Sequence, residues 1–112
     1  MAQQWSLNDL ANLPLNYAKI ELSATGNVVP VVTGKSILVM QVNVIGNATG
    51  TIQFQDDQAG SPTDLTGPMD CVAASGLAPG FVGGLFVTRP GKTLDITLSG
   101  THANGSLVYV LV

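Results

Sequence analysis

The sequence predicts an all-β fold: an antiparallel β-sandwich or barrel of about eight short strands behind an extended N-terminal arm. Three observations predict it. From Tyr17 onward, apolar and polar residues alternate with a period of two, and no helical period appears. Turn residues interrupt the chain at intervals of about 8–12 residues, the spacing of short strands joined by tight loops. Thirteen glycines can supply the positive φ angles that such turns require. With 112 residues the chain is long enough for one domain and one core.

The elements follow in order. Residues 1–16 read as an arm with spaced apolar anchors, Trp5, Leu7, Leu10, Leu13 and Leu15. Ser6 and Asp9 resemble a helix cap and a first-turn acid, and Pro14 would stop that turn. One or two turns are unstable without a surface to lie on. The β domain then occupies residues 17–112. Ile20 and Leu22 alternate with Lys19, Glu21 and Ser23, and ATGN makes a turn. A second strand is expected over Asn27–Thr33, with Pro30 confining it to an edge or a bulge. Ile37–Ile45 is a long strand, expected to set Leu38, Met40, Val42 and Val44 against Ile37, Val39, Gln41 and Asn43. TIQFQ follows a Gly46–Gly50 turn. DDQAGSPTD is a polar loop, Met69–Ala73 a short strand, and SGLAPG a loop. Phe81–Val87 is a strand weakened by Gly83 and Gly84, and RPGK turns the chain. Thr93–Ser99 places Leu94, Ile96 and Leu98 inside, with Asp95, Thr97 and Ser99 outside. After the THANG turn comes SLVYVLV.

Composition excludes several functions. Only four residues are Lys or Arg and the net charge is −3, so no basic stripe exists to neutralise phosphates and no nucleic-acid partner is expected. The most apolar stretch, VVPVVTGKSILVMQVNVI, is broken by Pro30, Gly34 and Lys35, so neither a membrane span nor a membrane partner is expected. The N-terminus has no basic region followed by an apolar run, so no secretory signal is expected. Cys71 is the single cysteine, and a small buried hydrophobe is its expected role.

Catalytic and metal chemistry are weakly provided for. His102 is the single histidine and falls in the THANG turn, where a solvated turn residue is expected rather than a Ser-His-Asp member. Asp56, Asp57 and Asp64 share one loop but match no calcium-loop spacing, and a solvated acidic loop is expected. Asn47-Ala48-Thr49 and Asn104-Gly105-Ser106 fit the glycosylation pattern but read as turn residues. The expectation is a protein that is not an enzyme, with no cofactor and no metal.

The closing SLVYVLV is apolar on both faces, with Leu107, Tyr109 and Leu111 on one and Val108, Val110 and Val112 on the other. A sandwich core covers one face only. The other needs a second layer: a neighbouring subunit, or the arm folded back over it. Only 10% of the residues are charged against 46% hydrophobic, which also suits a surface partly covered by protein. The expected subunit interface is Ile37, Val39, Val108, Val110 and Val112. Closed symmetry would hide such a patch without leaving a sticky end.

Five stretches resemble small bacteriophage structural proteins in the same order: Tyr17–Ala24, Leu65–Met69, Gly84–Thr88, Gly91–Ser99 and Gly105–Val110. The likeness covers residues 17–112, and the arm lies outside it. The resemblance implies a capsid decoration (cement) protein with a jelly roll of the tumour-necrosis-factor shape. It implies a homotrimer on the outer surface of the virion, made in the host cytoplasm, with the major capsid protein as partner. It also implies that the C-terminal strand lies near the threefold axis. On this expectation the arm residues Trp5, Leu7, Leu10 and Leu13 bind the capsid. The alternative is a trimeric tail-tip or fibre head that binds host-surface glycans through loops 56–64 and 75–80.

Overall fold

The computed structural model describes residues 14–72 and 85–112, and the backbone of 76–77. The proposed arm anchors Trp5, Leu7, Leu10 and Leu13 lie outside the described residues. Among these residues are ten strands: β1 Asn16–Leu22, β2 Gly26–Val29, β3 Ile37–Gly46, β4 Gly50–Asp56, β5 Thr63–Asp64, β6 Met69–Cys71, β7 Gly76–Leu77, β8 Phe86–Val87, β9 Leu94–Ser99 and β10 Ala103–Leu111. All pair antiparallel, in two sheets. The first runs β1-β10-β3 and ends in β7 and β8, both on the outer edge of β3. The second runs β2-β9-β4 and ends in β5 and β6, both on the outer edge of β4. The chain therefore changes sheets between β1 and β2, β2 and β3, β3 and β4, β6 and β7, β8 and β9, and β9 and β10.

One core lies between the sheets. The first supplies Ile20, Ile37, Val39, Val42, Val44, Ala103 and Leu107; the second supplies Val29, Ile52, Phe54, Cys71, Leu94 and Ile96. β4 and β9 contribute alternate residues, Ile52 with Phe54 and Leu94 with Ile96, which is why their period-two pattern was legible. The rings of Phe54 and Phe86 meet across the gap with centroids 5.1 Å apart, tilted at 41°, a geometry that adds to simple burial. Gly105 lets β10 approach β3: a Cβ there would lie 1.9 Å from the Asn43 carbonyl oxygen, and its φ is +154°.

Several expectations change. β2 stops at Val29, because Pro30 has no N–H to continue the ladder; the chain then turns through Gly34 at φ 73°. The loops after β4 and β6 each contain a two-residue strand, β5 and β7. The largest change is in β3. The β3–β10 register slips between Val108, opposite Gln41, and Tyr109, opposite Val39. Met40 is the extra residue of a β-bulge. Above it Val42 and Val44 point inward; below it Ile37 and Val39 do, at 0% exposure. Ile37 and Val39 thus belong to the core of their own chain rather than to a subunit interface. Leu38 and Met40 take the outer side.

Candidate functional site

The outer face of the first sheet carries the apolar feature that a core does not need. Side chains directly opposite in a ladder share a face. Tyr17 of β1 pairs with Val108 of β10, and Val110 of β10 pairs with Leu38 of β3, which pairs in turn with Val87 of β8. Leu38 and Val110 form a second buried cluster against which Met40 and Val112 pack. Val112 is fixed by two backbone bonds with Ser36, 3.0 Å from its N–H and 2.9 Å to its carbonyl. The result is an apolar stripe from Tyr17 to Val87 across four strands.

Exposure along the stripe is uneven. Tyr17 is 75% exposed and Val87 46%. Met40, Val108 and Val112 are half-buried. Val110 is 1% exposed, so it is the floor of the stripe and has little area left for a partner. Of the five expected interface residues, the structure brings Val108, Val110 and Val112 together on this face and places Ile37 and Val39 behind it. Tyr17, Leu38, Met40 and Val87 were missed. Strict alternation groups Leu38 and Met40 with Val42 and Val44, and nothing in the sequence announces the bulge. Beyond the stripe the same face is polar apart from Ile45, which is 46% exposed: Lys19, Glu21, Gln41, Asn43, Asn104 and Ser106 are all exposed. Lys19 and Glu21, two apart on β1, form a surface ion pair that raises the Lys19 pKa and lowers that of Glu21.

A second constellation lies at the end of the sandwich where β4 meets the β8–β9 turn. Asp56 is fully buried, which corrects the expectation of a solvated acidic loop at this position. Its carboxylate accepts Arg89 Nη2 at 2.7 Å, Arg89 Nε at 3.1 Å, Arg89 N at 2.9 Å and Thr63 N at 3.2 Å. Burial pushes the Asp56 carboxyl up, but the hydrogen bonds and charge of Arg89, with the Thr63 N–H, hold it below its ordinary value. Asp57 accepts Ser61 N at 3.0 Å and faces Lys92 at 3.6 Å, and both lower its pKa, the Ser61 bond foremost. Asp95 was expected on the solvent side. It is 4% exposed and accepts Gln58 N at 2.9 Å, Thr93 Oγ1 at 2.6 Å and Asn27 Nδ2 at 3.0 Å. Three carboxylates from two segments, Asp56–Asp57 and Asp95 of β9, thus hold the backbone of loop 57–63. This is a clamp: their oxygens are occupied by protein donors.

Other candidates are as follows. Among the described residues no group of three or more His, Cys, Asp or Glu side chains could hold a metal ion. Also among them, no helix is long and apolar enough to cross a membrane. Cys71 is buried at 5% exposure against the core. His102 is exposed, and its backbone N–H donates to Asn47 Oδ1 at 2.8 Å. No protein-family model, curated protein or solved structure matches this chain.

Proposed function

We propose that this chain is a virion structural protein of a bacteriophage, a capsid decoration protein without catalytic activity that binds the outer head surface as a homotrimer. The observation that carries the reading is the apolar stripe from Tyr17 to Val87 on the outer face of the C-terminal strand's sheet. Such a stripe on a small domain is an interface or an aggregation liability. Three copies around an axis close it. The finer fold reading is a jelly roll. The orders β1-β10-β3-β7/β8 and β2-β9-β4-β5/β6 support it, because each sheet interleaves strands from both ends of the chain as two Greek keys do. The ordered resemblance of residues 17–112 to small phage structural proteins supports the virion setting.

The mechanism is added contact area on the head. Three linked copies bind a capsid seam with the avidity of a multivalent ligand and no chemistry. Arm residues Trp5, Leu7, Leu10 and Leu13 are the proposed capsid anchors, and Tyr17, Met40, Val87, Val108 and Val112 the trimer contacts. Two measurements test this. Native mass spectrometry at micromolar concentration should give a trimer; a chain that stays monomeric and disperse refutes the reading. A trimer lacking residues 1–13 should fail to sediment with undecorated heads; undiminished binding removes the arm from the mechanism. The alternative tail-tip or fibre head shares the trimer and differs in copy number, a handful per particle instead of hundreds.

A further inference from the structure

We infer that the end of the sandwich opposite the Asp56 clamp is a binding site for a neutral saccharide. The site belongs to the single chain and depends on neither the trimer nor the capsid. The turns β1–β2, β3–β4 and β9–β10 converge there around an open cavity of about 590 Å3, with Ser23, Thr25, Asn47, Leu98, Thr101 and His102 in its wall. A second depression of about 280 Å3 adjoins it, sharing Ser23 and His102 and adding Glu21 and Asn104. The larger volume falls within the range of small-molecule sites.

The frame is fixed before any ligand arrives. Thr101, 6% exposed, accepts Asn47 N at 3.1 Å and Ala48 N at 3.2 Å through its hydroxyl, which lies 3.0 Å from the His102 carbonyl. Asn47 Oδ1 accepts the His102 N–H, and Thr25 Oγ1 accepts Leu98 N at 2.9 Å. Gly50 packs against the β9–β10 turn so closely that a Cβ would lie 2.0 Å from the Ser99 carbonyl oxygen. These bonds tie all three turns together, so little loop ordering is left for binding to oppose.

What the frame leaves free sets the ligand class. Among the described residues the His102 ring, Asn47 Nδ2, the Ser23 hydroxyl and the Asn104 side-chain amide have no hydrogen-bond partner. These are neutral donors and acceptors suited to hydroxyl groups. Ala24, Ala48 and Leu98 add apolar wall for the C–H face of a sugar ring. No Lys or Arg lines either depression, and the Glu21 carboxylate at the edge of the second is paired with Lys19, so neither depression offers a free cation to an anion. A phosphate, sulfate or nucleotide is therefore the wrong ligand. An open site with one aromatic ring holds a saccharide with a Kd on the order of 1 mM.

The test is a titration of the full ¹⁵N-labelled chain with maltohexaose and, separately, chitohexaose to tens of millimolar, followed by amide shifts. At least one sugar should shift Ser23, Thr25, Asn47, Ala48, Thr101 and His102 and leave loop 57–63 unmoved. His102→Ala should weaken binding about tenfold, and Ala24→Trp, which fills the cavity, should abolish it, both with unchanged spectra elsewhere. The inference is overturned by no shifts with either sugar, by shifts that map elsewhere or survive both substitutions, or by equal shifts of the same amides with inorganic phosphate.

Discussion

Replacing Asp56 by Ala should cost the fold about 3 kcal/mol and flatten its response to acid. The carboxylate is fully buried and satisfies two backbone donors, Arg89 N at 2.9 Å and Thr63 N at 3.2 Å, as well as the Arg89 guanidinium. An alanine leaves both N–H groups without an acceptor in a partly buried setting, at about 1.5 kcal/mol each, the lower half of the usual range. The guanidinium adds little to the loss: its side chain is 43% exposed and can turn to water. For a domain of this length the loss corresponds to a melting temperature lower by roughly 12 °C. The pH leg is separate. The folded Asp56 pKa is depressed, so its contribution is complete above the unfolded value of about 3.9 and disappears as pH falls through the folded value. Wild type should therefore lose stability steadily from about pH 5 downward, and the variant more slowly, so that the two curves converge in acid. Asp57 has the same sign and keeps some slope in the variant. The assay is urea denaturation followed by far-ultraviolet circular dichroism from pH 7 to 3, at one protein concentration so that assembly does not enter the comparison. A difference below about 1 kcal/mol at pH 7, or parallel curves down to pH 3, would refute the clamp.

Val108→Asp should prevent the proposed trimer and leave the monomer folded, because Val108 is half-buried on the outer face and not in the core cluster; the check is mass by light scattering with an unchanged far-ultraviolet spectrum. Gly105→Ala should destabilise by more than about 1 kcal/mol, since the new Cβ meets the Asn43 carbonyl oxygen at 1.9 Å; thermal melting decides it, and an unchanged melting point refutes the close approach of β10 to β3. Cys71 should resist a soluble aromatic disulfide in the native protein and react fully in denaturant, because only 5% of the residue is exposed; release of the coloured thiolate reports the rate.

Much of the sandwich was legible because its signal is local. Ile20, Ile52, Phe54, Leu94 and Ile96 sit in strands of strict alternation, and each lies in the core as its period demands. What could not be read depends on partners far away in sequence. Asp56 looks like the start of a polar loop until Arg89, 33 residues on, reaches it. Asp95 alternates correctly to the outer face of its sheet and is nonetheless covered, because the backbone of Gln58, 37 residues earlier, docks on it. The strands β5 and β7 are two residues long, below the length at which alternation carries information. At the candidate interface the valines of β10 were readable as a face, whereas their neighbours on β3 were not, because a bulge resets the phase without changing composition.

That bulge ties the fold to the proposed assembly. In ILVMQVNV the apolar residues do not fit one face: Ile37 and Val39 fall in one phase, Val42 and Val44 in the other. With strict pairing, either half of β3 could face the core only by turning the other half to water, a full change of side for every residue. The extra residue at Met40 lets both halves face inward, and all four are at most 1% exposed. The cost of that solution is that Leu38 and Met40 must emerge on the outer side, next to Val110 and Val112. Leu38 and Val110 cover each other within the single chain, but Met40 and Val112 stay half-buried beside them, and polar side chains at 40 and 112 would satisfy the same ladder. Their being Met and Val, in line with exposed Tyr17 and Val87 and half-buried Val108, fits a face that the proposed trimer would cover. Deleting Met40 tests the link directly. Without Met40 the strand reads ILVQVNV, which sets Ile37, Val39, Val42 and Val44 in one alternating phase opposite the unbroken β10, so the shortened chain should still unfold cooperatively while the proposed trimer weakens, as it should with Met40→Ala; loss of cooperative unfolding on the deletion would refute the assignment of Met40 as the extra residue.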